Sequence, residues 1–260
     1  MIRGVRVAME GMRAQLARQQ VVARNLDNLD TPGFKQETGA IDGFASTLGR
    51  LDGRLTMGPL QSTSLVSVLG SLGVDTAIDR VSVDFRQGRL EETKQPLDVA
   101  LAGDGFLQVN TPNGPLFFRG GPLHRDAEGT LVTSEGYQVL GADGQPLVVK
   151  GDEVSIAGNG DITVDGKAAG RLAVVEFAPG TTLAKMGQEF YTPDDPNAPP
   201  PAAAVATTVK QGFLEGSNVD WVSAMGDLVS IVRVYQANQR MLQAQDELLG
   251  KATNEVGRVA

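Results

Sequence analysis

The chain changes its hydrophobic pattern twice. Near both ends, apolar residues recur in alternating steps of four and three, whereas the long middle alternates apolar and polar residues in short runs. The first pattern is the seven-residue repeat of helices that pack against other helices. The second is typical of strands, whose side chains point alternately to opposite faces. We therefore predict a mainly β central domain, antiparallel and rich in hairpins, with long N- and C-terminal helices that form a coiled coil.

The N-terminal helix is predicted over about residues 3–28. The run Asp30-Thr31-Pro32-Gly33 ends it, because a residue before proline is disfavoured in a helix and a glycine permits a turn. The apolar stripe that we expect to pack against partner helices consists of Val5, Met9, Met12, Leu16 and Leu26.

The C-terminal helix is predicted from Trp221 to about Val256. Ser217 or Asn218 is the expected N-cap, with Asp220 adding a negative charge near the positive helix end. Trp221 could anchor one helix to another or pack the helix onto its own β-domain, and we favour the anchor. The expected stripe, which faces that of the N-terminal helix, consists of Trp221, Met225, Leu228, Val232, Tyr235, Leu242 and Leu249.

The segments between these helices divide the chain further. We expect a helix and turn over 1–35, an extended connector over 36–79 with a short helix near 41–48, a β-rich domain over 80–211, and the C-terminal helix segment over 212–260. Within the β-rich domain, strands are separated by Asn-Gly or Asp-Gly pairs, which supply the positive φ that tight hairpins require. These pairs are Asp104-Gly105, Asn113-Gly114, Asp143-Gly144, Asn159-Gly160 and Asp165-Gly166.

Composition argues against most kinds of chemistry. The 260 residues carry a net charge of −8 and show no basic footprint, so a nucleic-acid partner is not expected. The chain has no cysteine and a single histidine, His124, and it lacks the glycine motifs of nucleotide-binding loops. We expect no catalytic residue, metal or cofactor, and hence no enzyme. No apolar run is long enough for direct membrane insertion, and no Sec-type signal is visible, so any export is expected to use another route.

Four motifs, in order along the chain, resemble those of flagellar axial proteins. Asn25–Lys35 (NLDNLDTPGFK) is similar to the N-terminal signature NNLANANTPGFK, and the stretch ending in Leu97–Phe106 (LDVALAGDGF) is similar to PLDVAI-x-GDGFF. The block from Phe118 to Tyr137 resembles YTRAG followed by D-x-x-G-x-LVT-x-x-G, although Phe117–Gly121 (FFRGG) departs from YTRAG. Leu214–Asp220 (LEGSNVD) with Tyr235–Asn238 (YQAN) resembles the C-terminal signature. The motif residues singled out are Asn25, Asn28, Thr31, Pro32, Gly33, Phe34, Gly103, Asp104, Gly105, Phe106, Ser217, Asn218 and Val219.

This resemblance implies a flagellar rod or hook-basal body protein of the proximal or distal rod type. It implies a structural subunit of the basal-body rod, exported unfolded by the flagellar type III apparatus. Its partners would be copies of itself and other flagellar rod and hook proteins. The terminal helices would polymerise into a hollow tube that transmits torque, and Asn25, Asn28 and Thr31–Gly33 would set the exit of the first helix. The alternative from another class is a secreted adhesin or fibre subunit with coiled-coil ends and a β-head.

Overall fold

The computed structural model describes residues 2–41, 78–151, 153–204 and 206–256. They form two compact units. The helix unit comprises Met1–Leu26, Glu37–Ser82 and Asp220–Ala260, and the β-unit comprises Asp27–Gln36 and Val83–Val219. The short helix predicted near residues 41–48 lies outside the described residues beyond Ile41.

Two long helices dominate the helix unit. Helix α1 spans Ile2–Asp27 and helix α2 spans Trp221–Val256, so the predicted bounds of α1 are confirmed within one residue. The helices pack together at Gly11, where a Cβ atom would lie 2.9 Å from the Asn238 amide nitrogen. Gly11 precedes the end of α1 by between four and five turns, and Asn238 follows the start of α2 by about the same length. Because the chain segments beyond these two ends are hydrogen-bonded to each other, the helices run antiparallel.

Asp220 caps helix α2. Its carboxylate accepts hydrogen bonds from the Val222 N–H at 3.1 Å and from the Ser223 hydroxyl at 2.6 Å. These bonds, that of Ser223 above all, hold the pKa of Asp220 below its usual value. The predicted cap at Ser217 or Asn218 is wrong, because the helix begins later and Asn218 uses its side chain elsewhere.

A two-stranded sheet completes the helix unit. Strand β1 (Glu37–Ile41) pairs with strand β2 (Ile78–Val83), at the two ends of the segment predicted to be an extended connector. The Ser82 hydroxyl donates to the Thr38 carbonyl across this pair at 3.3 Å.

The β-unit is built from short strands that pair antiparallel. In chain order they are β3 (Leu90–Glu92), β4 (Asp98–Ala102), β5 (Phe106–Thr111), β6 (Gly114–Phe118), β7 (Gly120–Arg125), β8 (Leu131–Thr133), β9 (Gln138–Val139), β10 (Val154–Ile156), β11 (Asp161–Val164), β12 (Lys167–Arg171), β13 (Val174–Glu176), β14 (Leu183–Met186), β15 (Phe190–Pro193), β16 (Ala202–Ala203), β17 (Thr208–Gln211) and β18 (Phe213–Glu215). The expected fold class, an antiparallel β centre with packed terminal helices, is confirmed.

One large sheet carries most of these strands. Its order is β14-β15-β6-β5-β9-β8-β7-β4-β17, with β13 paired to β5 and β16 paired to β13. Strands β10, β11 and β12 form a three-stranded sheet, and β18 pairs with β3. The Gln211 side chain joins two of these sheets, since it accepts from the Ile156 N–H at 3.0 Å and donates to the Val154 carbonyl at 2.8 Å.

Two clusters form the core of the β-unit. The larger one is aliphatic and includes Val99, Leu101, Leu107, Val109 and Leu131, all fully buried. The smaller one is aromatic and is centred on Phe106, Phe117 and Tyr191, whose rings meet each other and neighbouring rings edge to face. Such edge-to-face contacts stabilise aromatic pairs by about 0.5–1.5 kcal/mol beyond burial.

Most of the predicted turn pairs adopt the expected backbone. Gly114, Gly144, Gly160 and Gly166 have positive φ, and Asp165 shares it, as a two-residue hairpin between β11 and β12 requires. The hairpin predicted at Asp104-Gly105 is wrong. The adjoining strands β4 and β5 pair with other strands, and Gly103 rather than Gly105 takes the positive φ.

Candidate functional sites: a buried motif junction and the terminal helix pair

Three charged side chains meet inside the β-unit. Lys35 is 0% exposed, and Arg119 and Glu215 are each 1% exposed. Lys35 follows the turn after α1, Arg119 lies between β6 and β7, and Glu215 ends β18. We call this cluster, with the backbone groups that it binds, the junction. Buried charges are costly unless they are paired and hydrogen-bonded, so each contact of the junction matters to its stability.

Glu215 is the centre of the junction. Its carboxylate accepts a hydrogen bond from the Lys35 ammonium at 2.6 Å and another from the Gly88 N–H at 2.8 Å. The Arg119 Nε lies 3.4 Å from the second carboxylate oxygen, which makes an ion pair. The Glu215 backbone carbonyl also accepts from the Gly33 N–H at 2.6 Å. One residue thereby holds three other segments of the chain, those of Gly33–Lys35, Gly88 and Arg119.

Lys35 and Arg119 extend the junction to further backbone carbonyls. Lys35 also donates to the Arg86 carbonyl at 2.9 Å, and burial lowers the pKa of its ammonium, although Glu215 opposes that shift. The two terminal nitrogens of Arg119 donate to the carbonyls of Gly105 at 2.5 Å and Gly103 at 2.6 Å. Its guanidinium carbon lies 5.3 Å from the centre of the Phe106 ring. The Gly103–Phe106 motif is therefore a docking surface for Arg119.

Two glycines allow the segments of the junction to approach closely. Gly33 has a φ of +72°, and a Cβ there would lie 3.2 Å from the Gly120 carbonyl oxygen. A Cβ on Gly88 would lie 2.0 Å from the Gly216 carbonyl oxygen, which leaves no room for a side chain. Next to Gly33, Phe34 is buried, and the Lys185 ammonium lies 3.5 Å from the centre of its ring.

Asparagine side chains fix the backbone on both sides of the Gln36–Glu37 peptide. In the β-unit, Asn218 accepts from the Gln36 N–H at 2.7 Å and donates to the carbonyls of Asp84 and Arg86. In the helix unit, buried Asn25 accepts from the Glu37 N–H at 2.8 Å and donates to the Glu37 carbonyl at 2.7 Å. An amide side chain can satisfy a backbone donor and a backbone acceptor at once. Each asparagine therefore fixes the course of the backbone that it contacts.

The motif residues thus differ in what they do. Asn28 accepts from the Thr31 backbone and hydroxyl in the turn after α1, and Ser217 accepts from the Val219 N–H at 3.3 Å. Pro32 is half-buried in that turn, and Asp104 is exposed. The candidate residues chosen from the sequence omitted Lys35, Arg119 and Glu215. A charged residue embedded in a run of apolar residues and glycine, as in GFK, FFRGG and FLEGS, is the signal that could have found them.

Alanines occupy most of the fully buried positions of the seam between α1 and α2. Its buried positions are Ala8, Ala14 and Val21 on α1 and Ala224 and Ile231 on α2. Leu228, Tyr235, Leu242 and Leu249 are half-buried along the same side of α2, one heptad apart. The seam therefore combines fully buried small residues with larger apolar residues that are only half-buried.

The predicted packing of the two stripes against each other is therefore corrected. Of the predicted stripe, Met9 and Leu16 are each 45% exposed, Trp221 is 56%, Met225 is 50% and Val232 is 38% exposed. Val5, Met12 and Leu26 are half-buried. Leu228, Tyr235, Leu242 and Leu249 are half-buried, and the buried Ala224 and Ile231 each lie one residue before a position of the predicted stripe. Spacing alone does not say which of two neighbouring faces is buried.

Two further kinds of feature were sought among the described residues, a metal site and a membrane-spanning helix. Within it, no group of three or more histidine, aspartate or glutamate side chains is placed to hold a metal ion, and His124 is exposed on β7. None of the described helices is long and apolar enough to cross a membrane.

Fold and junction together define a class of protein: one whose N- and C-terminal segments meet in a buried junction and continue into an antiparallel helix pair. Three family models match the chain. They are the flagella basal body rod protein at residues 5–35, the flagellar hook protein FlgE/F/G D1 domain at 100–169, and the flagellar basal body rod FlgEFG protein C-terminal at 210–255. These matches cover the motifs that form the junction.

Relatives that match over nearly their full length are flagellar proteins as well. The chain is 29% identical to the flagellar basal-body rod protein FlgG of Agrobacterium fabrum, over 95% of this chain and 97% of the relative. It is 29% identical to the flagellar hook-basal body complex protein FlhO of Bacillus subtilis over 100% of both chains. It is 28% identical to the flagellar basal-body rod protein FlgF of Escherichia coli over 94% of both. Over nearly its whole length the chain is therefore similar to flagellar basal-body rod proteins, a family that is structural rather than enzymatic and located in the basal body.

Proposed function

We propose that this chain polymerises through its terminal helix pair into the hollow, torque-transmitting tube of the flagellar rod. Copies of itself and other rod and hook proteins are its partners, and the flagellar type III apparatus exports it unfolded. Relatives named FlgG and FlgF match it almost equally, so the proposal concerns the rod protein they have in common. The secreted adhesin, the alternative from sequence, has no support in these full-length matches.

The observation that carries this proposal is the exposure of large apolar side chains on the helix pair. Trp221, Met225 and Val229 are each at least half exposed, although the same helices bury alanines in their seam. Burying one such side chain fully contributes about 1.5–3 kcal/mol, so water contact at several of them favours association. The sequence-based assembly interface thereby stays a proposal, now for contacts between copies rather than for the seam within one chain.

The test replaces Met225 with aspartate. We expect Met225→Asp to keep the helix content and β-unit stability of the parent, because the side chain is exposed, but to abolish tube formation by concentrated protein and motility of the producing strain. Gly226→Asp, at an exposed position of the same helix where a Cβ meets no atom within 4 Å, is the matched control and should assemble. Electron microscopy of pelleted material measures the outcome. Normal tubes and normal swimming with Met225→Asp would contradict the proposal.

A further inference from the structure

Helix α2 exposes its large apolar side chains in two separate patches. The leading patch is Trp221, Met225, Val229 and Val232, and the trailing patch is Val234, Met241 and Leu248. These side chains are between 38% and 61% exposed. The patches occupy different halves of the helix.

The two patches lie on opposite flanks of the seam. Met225, Val229 and Val232 each directly follow a seam residue, namely Ala224, Leu228 and Ile231. Val234, Met241 and Leu248 each directly precede one, namely Tyr235, Leu242 and Leu249. Since a helix turns by about 100° per residue, the residue after a seam position lies on one side of the seam and the residue before it on the other.

Helix α1 extends the leading patch. Met9 directly follows the buried Ala8, and Leu16 lies one heptad further on, so both fall on the flank that follows the seam. In an antiparallel pair of right-handed helices, the flanks that follow the seam lie on the same side of the pair. Met9 and Leu16 therefore continue the apolar surface of the leading patch, and both patches border the seam that already joins the two helices.

Two different patches on opposite flanks favour a contact that repeats from one copy to the next. A closed two-fold dimer brings the same patch of both copies together, whereas a head-to-tail contact joins two different patches and repeats. We infer that the leading patch of one copy packs against the trailing patch of the next copy. This inference rests on the proposed polymerisation and specifies its contact. Met241 follows Met225, and Leu248 follows Val232, by the same number of residues, which corresponds to an offset of about 24 Å along the helix.

The chain has no cysteine, so single cysteines can report the contact. Val229→Cys marks the leading patch and Met241→Cys marks the trailing patch, on otherwise unchanged full-length protein. Each variant, and an equal mixture of both, is concentrated and treated with a short flexible bis-maleimide. We expect the mixture to give at least fivefold more cross-linked dimer than either variant alone, and the double variant to give a ladder of multimers. Glu247→Cys, exposed and neither directly before nor directly after a seam position, should not cross-link to either partner.

The outcomes separate this inference from the proposed function. If the proteins assemble but Val229→Cys alone cross-links as well as the mixture, the contact joins like patches and the inference is wrong, while polymerisation stands. The same holds if Glu247→Cys cross-links as well as Met241→Cys. If neither sedimentation nor electron microscopy detects any assembly of the parent protein, the proposed polymerisation fails together with the inference.

Discussion

The junction and the helix-pair seam both join parts of the chain that are distant in sequence, but they are built from different kinds of residues. The junction is fully buried and consists of charges, each with a defined partner, whereas the seam consists of buried alanines and partly buried larger apolar residues beside exposed large ones. A buried carboxylate accepts only one arrangement of donors, so the junction specifies a single geometry. The seam leaves apolar surface in water, which is the basis of the proposed assembly. One region defines the subunit, and the other carries the proposed contacts between copies.

The largest effect should come from the centre of the junction. Glu215→Ala leaves the Lys35 and Arg119 cations buried without a counter-charge, which costs about 3–5 kcal/mol of unfolding free energy. Urea unfolding followed by near-ultraviolet circular dichroism measures the β-unit. Glu91→Ala, on the strand that pairs with β18 but exposed, should cost less than about 0.5 kcal/mol. Equal losses in the two variants would mean that the junction charges do not set the stability of the β-unit.

Removing one of the two cations should cost less. Lys35→Met leaves Glu215 paired with Arg119, so we expect a loss of about 1–3 kcal/mol. The pH dependence gives a second readout. Burial holds the pKa of Lys35 below that of the unfolded chain, so the unfolded state binds more protons between the two values. Stability of the parent should therefore gain from this group as the pH rises through that alkaline window, and Lys35→Met should lack this gain. Urea midpoints that change identically with pH in both proteins would contradict this.

The stability of the helix pair should depend on the size of side chains in the seam rather than on their charge. Gly11→Leu places a branched side chain where even a Cβ lies 2.9 Å from the Asn238 amide, which should separate the helices and cost about 1–3 kcal/mol. Gly226→Leu is the matched control, because a Cβ at Gly226 meets no atom within 4 Å. Amide hydrogen exchange should show faster exchange in α1 and α2 for Gly11→Leu alone, with the β-unit unchanged. Loss of protection in the β-unit as well would remove the contrast between the two regions.

The smallest effect should come from the start of α2. Asp220→Ala removes the hydrogen bonds to the Val222 N–H and the Ser223 hydroxyl and should cost about 1 kcal/mol. The first turn of the helix, measured by hydrogen exchange at Val222–Ala224, should fray. Asp227→Ala, exposed inside the same helix, should leave that turn unchanged. A first turn as protected in Asp220→Ala as in the parent would show that another group caps the helix.

The local hydrophobic pattern was sufficient to predict those helices and strands whose own residues repeat or alternate. The heptad spacing predicted both helices, and alternation predicted strands such as β5 and β11, because one face of each is buried. The sequence did not predict β6, β7, β12 and β17, which contain glycine, proline or charged residues and are held by their neighbours. Strand β17, for example, is fixed by its register with Val99–Ala102 of β4. Conversely, the apolar run Leu147–Val149 forms only an isolated bridge between Val148 and Thr130.

The junction could not be predicted from the local pattern, for a different reason. Each of its charged residues lies in a motif that was noticed, but no spacing rule connects Lys35 with Glu215. Their contact depends on the course of the chain through the whole β-unit. The choice of the buried seam could not be predicted from the pattern either, because two neighbouring faces of α2 have nearly the same spacing and the pattern does not say which of them meets α1 at Gly11.

The separation of 180 positions between Lys35 and Glu215 bears on how the protein can be cut. A recombinant fragment spanning 80–211, the limits that the strand pattern suggests, would discard both residues and leave the Arg119 guanidinium enclosed without an anion. Fragments for crystallography or calorimetry should instead retain Asp27–Gln36 together with Val83–Val219, the two stretches that make up the β-unit. A flexible tether between these stretches would replace the intervening residues.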